Sequence, residues 1–149
     1  MAHSYTNLLY HIVFSTKERE EWLTPKVREQ LWPYIGGIIR AEGGVALEIN
    51  GMADHVHILA KLPATKPLAD VLRAVKAKSC HWLRTKLEIP EFSWKTGYGA
   101  FTVSQSQLDV VRHYIQTQEE HHRAMPFTDE MRKLLRAHGL DVDEQLLWE

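Results

Sequence analysis

The chain has 149 residues, 25% of them charged and 44% apolar, with a formal net charge of −1. That size and make-up fit one globular domain spanning residues 1–149, and they exclude a uniformly basic nucleic-acid coat. Cys80 is the one cysteine, Met1 to Tyr10 lacks a signal-peptide layout, and no apolar run reaches the ~20 residues of a membrane span, so a cytoplasmic, disulfide-free protein is expected.

The first apolar run, Leu8 to Phe14, is rich in strand formers and predicts a strand. Thr24-Pro25 is a helix start, with a hydroxyl to cap and a proline at the first position. Val27, Leu31, Tyr34, Ile35, Ile38 and Ile39 follow at helical spacing, while Pro33 and Gly36-Gly37 predict a kink or break. Gly43-Gly44 ends that helix. Val45 to Asn50 alternates as a half-buried strand does, a turn runs from Gly51 to Asp54, and His55 to Leu62 alternates again. Together they predict a hairpin, with Val56, Ile58, Ala60 and Leu62 on one face and His55, His57, Leu59 and Lys61 on the other.

Leu68 to Lys86 reads as a long helix with its basic residues opposite its apolar stripe. Trp94 to Ser104 reads as a further strand. Ser106 with Asp109 has capping-box spacing and opens a helix to about His121 or His122. Thr128 is placed as the cap of a last amphipathic helix that Gly139 ends. The fold class expected is α+β: a ferredoxin-like antiparallel sheet with helices on one face, plus C-terminal helices carrying Tyr114. The second face of that sheet is expected to be open to a ligand or partner. Such a fold hosts many activities and decides none of them.

Charge is unevenly spread. Residues 61–95 hold eight lysines and arginines against three acids, whereas residues 119–149 hold eight acids against four bases. Arg73, Lys76, Lys78 and Arg84 in the basic stretch could neutralise phosphates, with Trp82, Trp94 and Tyr98 nearby to stack on unpaired bases. A basic segment is also commonly a solvated helix face, and tryptophans are more often core residues than stacking platforms.

The residues that could do chemistry are few. His55-Val56-His57 on a strand projects both imidazoles from one face, which is half of a metal site. In isolation the pattern more often marks two polar residues on a solvated strand. Tyr114 and Gln118, four apart on a helix, share a face; the phenol is a possible covalent nucleophile and the amide oxygen a possible third ligand. His121 continues that face, with His122 beside it. Cys80 lies mid-helix beside His81, where the two side chains diverge, and is read as a small core residue. If helix and strand meet, two imidazoles, an amide and a phenol surround one ion.

Three blocks together resemble the small single-tyrosine HUH transposases of the insertion-sequence-two-hundred group. They are Asp54-His55-Val56-His57-Ile58-Leu59, the run from Gly97 to Ser104, and the run from Tyr114 to His122. The resemblance extends from the Tyr10–Phe14 strand to the Leu146-Leu147-Trp148 tail. It implies that His55 and His57 are metal ligands, Gln118 the third ligand and Tyr114 the nucleophile, with Mg²⁺ or Mn²⁺ as the ion. It further implies a homodimer in which the tyrosine helix can serve either subunit's histidines. The implied substrate is single-stranded DNA with hairpin ends, cleaved through a 5′-phosphotyrosine and rejoined by the released 3′-OH. Rival readings are a domesticated nuclease acting on dispersed palindromes, a catalytically silent hairpin-binding protein, and a metallohydrolase in which water attacks.

Overall fold

A computed structural model describes residues 4–122 and 125–148. In chain order its main elements are β1 (Leu8–Ser15), α1 (Pro25–Ala41), β2 (Val45–Gly51), β3 (His55–Leu62), α2 (Leu68–Thr85), β4 (Gly99–Val103), α3 (Leu108–Gln116), α4 (Gln118–His122), α5 (Phe127–Ala137) and α6 (Glu144–Trp148). The four strands form one antiparallel sheet in the order β2-β3-β1-β4. Strand alternation sorts its side chains. Ile12, Phe14, Val56, Ile58, Ala60 and Leu62 face one way and pack with Leu31, Ile35 and Ile39 of α1 and Val71, Leu72, Val75 and Leu83 of α2. That is the main core.

The opposite face is not open. Val13 and Phe101 on it are covered by Phe127 and Met131 of α5, and α3 packs against β2 and β3. His55, His57 and Leu59 are accordingly 0% exposed. The expectation of an open second face fails because α3 and α5 carry their own apolar stripes, which need a surface to cover.

Helix α1 is continuous through Pro33. Proline removes the hydrogen bond to the carbonyl of Glu29 four residues back, and both residues are exposed to solvent. Thr24 accepts from Val27 N, as its sequence position predicts. The helix closes at Gly43, whose φ of +92° suits glycine.

The predicted strand from Trp94 to Ser104 shortens to Gly99–Val103, with Trp94 reaching the sheet only through a bridge to Thr16. Ser106 does not cap: its hydroxyl pairs with that of Ser104, a 3-10 turn over Gln105–Gln107 intervenes, and α3 starts at Leu108. Thr128 lies inside α5, whose cap position is Pro126.

Candidate active site

Strand β3 and helices α3 and α4 bring the predicted residues together. Register places His57 opposite Val13 on β1 and opposite Asn50 on β2. Asn50 in turn donates to the carbonyls of Ile115 (3.0 Å) and Gln116 (3.2 Å) at the end of α3. These carbonyls have no further helical donors, because the helix breaks at Thr117. The predicted single helix from Ser106 to His122 is thus two pieces, and the strand amide at the break fixes Tyr114 beside the histidines. The Tyr114 and His57 ring centroids are 5.8 Å apart. Gln118 still reaches back to Tyr114, its amide nitrogen 3.4 Å from that carbonyl.

Gly51 sets the other side. It ends β2 where the backbone of His55 and Val56 passes so close that a Cβ would overlap the His55 carbonyl. A tight hairpin there turns His55 into the pocket, where its ring stacks on Phe127 at 4.3 Å.

The predicted ligands converge. His55 Nε2 lies 3.1 Å from Gln118 Oε1, and His55, His57 and Gln118 are all 0% exposed. Sequence reasoning missed the group at the centre, Glu130 of α5. Its Oε1 is 3.0 Å from His57 Nε2, 3.0 Å from His122 Nε2 and 3.5 Å from His55 Nε2. Its Oε2 accepts from the Tyr114 hydroxyl and from Gln118 Nε2. Two further partners sit behind the ring: Asp54 Oδ1 is 2.7 Å from His55 Nδ1, and His11 Nε2 is 2.8 Å from His57 Nδ1. Asp54 adjoins the His-x-His and was open to discovery. His11 is a polar residue inside an apolar strand, a weak signal. Glu130 looks like an ordinary first-turn acid of an amphipathic helix.

The electrostatics follow from burial around one carboxylate. Burial alone would raise the Glu130 pKa, but hydrogen bonds from His122, His57 and Tyr114 outweigh it and hold the carboxyl far below the usual range. Burial lowers His57 to about 4, against the pull of Glu130. His122 is lowered by its partial burial and raised more by Glu130, so its net shift is upward. Tyr114 is pushed well above an ordinary phenol, first by burial and then by the adjacent negative charge. In this arrangement the phenol is a poor nucleophile.

The donor set fits a divalent cation. One ligand atom each from His55, His57, His122 and Glu130 lies within 4.8 Å of the others. An ion ~2.1 Å from two donors at a right angle holds those donors about 3.0 Å apart, which matches the His57–Glu130 and His122–Glu130 spacings of 3.0 Å. A cavity of about 330 Å³ lined by Tyr114, His121, His122, Glu130 and Lys133 opens beside the phenol.

The basic residues of α2 divide. Lys76 Nζ is held by the carbonyls of Lys95 (2.7 Å) and Gly97 (2.5 Å), and Arg84 by the Phe92 carbonyl and the Ser93 hydroxyl. Arg73 and Lys78 are exposed, Arg73 paired with Asp70. Trp82 stacks on Tyr34 and Trp94 packs edge-on to Phe14, whereas Tyr98 is 43% exposed.

Residues 4–118 match the family model described as "Transposase IS200 like". The chain belongs to the IS200-like transposase family. Its α5, with Glu130, lies outside the matched region of that family. The chain is 25% identical over 121 residues to the ISDra2 transposase TnpA of Deinococcus radiodurans, covering 76% of this chain and 85% of that one. It is 27% identical over 126 residues to the transposase for insertion sequence element IS200 of Salmonella typhimurium, covering 78% and 82%. Among solved structures, the fold resembles a candidate transposase of Deinococcus radiodurans R1, with a TM-score of 0.62, 24% identity and coverage of 79% and 96%. It also resembles a REP-associated tyrosine transposase bound to a REP hairpin, with a TM-score of 0.62, 15% identity and coverage of 100% and 90%. Among the described residues, no helix of this IS200-like chain is long and apolar enough to cross a membrane.

Proposed function

We propose that this chain cleaves and rejoins single-stranded DNA at the hairpin-bearing ends of a mobile element, in a metal-dependent reaction through a 5′-phosphotyrosine on Tyr114. The observation that carries the reading is the convergence of one phenol, three imidazoles, an amide and a carboxylate in a single pocket. Family membership supplies the reaction class. Hairpin binding draws support from the similar fold of a transposase that holds one.

Each side chain has a part that its position supports. His55, His57 and Gln118 would hold the ion, with Glu130 and His122 completing the set. A bound Mg²⁺ or Mn²⁺ would neutralise charge on the non-bridging phosphate oxygens and offset the negative field of Glu130 at the phenol. The Tyr114 oxygen would attack phosphorus as its proton passes to solvent water, the P–O3′ bond would break, and the departing 3′ oxygen would take up a proton from solvent to become a hydroxyl. Rejoining reverses the exchange, so no nucleotide cofactor is consumed. Lys133 lines the cavity beside Tyr114 and can attract the incoming phosphate. Arg73 and Lys78, exposed on α2, are candidates for backbone contacts farther along the strand, with Lys76 and Arg84 shaping the loop next to them. The tyrosine lies beside the histidines of its own chain, so the proposed homodimer needs no exchange of helices to complete a site.

The test is cleavage of labelled single-stranded oligonucleotides carrying a hairpin, with and without Mn²⁺. The reading requires metal-dependent nicking of the single strand and none of a matched duplex. Equal cutting of both substrates would contradict it.

A further inference from the structure

His11 and His57 stand diagonally across β1 and β3: His57 is opposite Val13, and His11 is opposite Leu59. Their rings stack 5.0 Å apart, with His11 Nε2 2.8 Å from His57 Nδ1. Both are buried, at 3% and 0% exposure. Two ring nitrogens at that distance need one proton between them, so one donates and the other accepts. Away from water the uncharged form of an imidazole is favoured, and a neutral ring carries one proton. Each therefore carries a single proton, and the position of one dictates the position of the other.

The pair has two consistent settings. As the structure stands, His57 Nε2 is 3.0 Å from the ionised Glu130, which only accepts, so Nε2 holds the proton. Nδ1 is then bare and accepts from His11 Nε2. For His57 Nε2 to ligate a cation its lone pair must be free, which puts the proton on Nδ1. His11 Nε2 must then be the bare nitrogen. Each ring has one proton in both settings, so no net charge changes.

We infer that His11 is a positioning residue of the metal site: when His57 offers Nε2 to the ion, His11 Nε2 accepts the hydrogen bond from His57 Nδ1–H and so holds the ring in the ligating tautomer. The inference rests on the metal-site reading above. Asp54 stands in the same relation to His55, 2.7 Å from its Nδ1. The carboxylate and the imidazole divide the work of orienting the two ligands, as outer partners of ligating histidines do generally. Packing does not explain an imidazole at position 11. Phe101 and Tyr114 meet it edge-on at 6.0 Å, and an apolar ring would fill that space.

The test compares wild type, His11→Phe and His11→Gln for Mn²⁺ affinity, read from the paramagnetic resonance of free Mn²⁺, with circular dichroism to verify folding. The phenylalanine keeps the ring volume but no acceptor; the glutamine restores an acceptor. The expected result is a ~10–100-fold loss of affinity in the first and recovery of most of it in the second. A folded His11→Phe protein with wild-type affinity overturns the inference. Should that variant not fold, nitrogen NMR of the wild-type imidazoles loaded with Zn²⁺ decides. Protonated Nδ1 on His57 with bare Nε2 on His11 supports the inference, and the reverse overturns it. Wild type that binds neither ion overturns the site reading and this inference together, whereas binding by wild type and His11→Phe alike defeats the inference alone.

Discussion

Glu130 of α5 accepts the phenol hydroxyl of Tyr114 of α3, and the same carboxylate meets His57 and His122 through its other oxygen. One buried acid thereby ties the proposed nucleophile to the proposed ligands. Removing its charge should act on both. In Glu130→Gln, the Tyr114 pKa should fall yet stay above an ordinary phenol, because burial is the largest cause of its elevation. Mn²⁺ affinity should fall by at least ~10-fold, as one anionic donor is lost. Ultraviolet titration of the phenolate and calorimetric Mn²⁺ binding measure the two effects. An unchanged phenol pKa would deny the coupling.

The chemistry of the donors predicts metal preference. Imidazole nitrogens suit Mn²⁺ better than Mg²⁺, which favours oxygen ligands and retained waters. With His55, His57 and His122 in the set, Mn²⁺ should support cleavage at least as well as Mg²⁺ at equal concentration. Titrating each ion against the initial nicking rate checks this, and clear superiority of Mg²⁺ would contradict it.

Gly51 should tolerate no side chain. A Cβ there overlaps the His55 carbonyl and crowds the Val56 Cα, both rigid backbone within the β3 ladder. Gly51→Ala should destabilise by about 2 kcal/mol or more, since relief requires shifting the hairpin. It should also weaken Mn²⁺ binding, because His55 moves with that hairpin. Urea unfolding and Mn²⁺ titration report the two losses.

Lys76 predicts a pH signature. Burial, with Lys95 nearby, lowers its pKa from 10.5 to about 8. Between those values the unfolded chain binds more protons than the folded one, so this residue makes stability rise with pH through that window. Below about pH 8 the cost of the buried ammonium is fully present. Melting temperatures of wild type and Lys76→Met should therefore diverge in wild type's favour from pH 8 to 10. Parallel curves would refute the assignment.

How much was legible in the sequence depends on the range of the signal. Strand alternation placed His55 and His57 on one face correctly, because a two-residue period needs only neighbours. The hairpin and both long helices followed from similar local patterns. The cover over the histidines did not, since it depends on where α5 docks, and Glu130 lies 73 residues from His57 in the chain. The break at Thr117 was hidden for a related reason: Asn50, which serves the freed carbonyls, comes from a distant strand. Pro33 misled in the opposite direction, its lost hydrogen bond falling on the solvent side where it costs little. Lys76 and Arg84 read as surface charge, yet their stems run to loop carbonyls that no local pattern announces.

The most direct test of the account is to capture the covalent intermediate. Wild-type protein is incubated with Mn²⁺ and a hairpin-bearing single strand, then denatured and digested, and the DNA-linked peptide is sequenced by mass spectrometry. The account predicts a 5′-phosphate bonded to Tyr114, and no adduct with Tyr114→Phe although hairpin binding is largely retained. An adduct undiminished in that variant, or mapped to another residue, would contradict it.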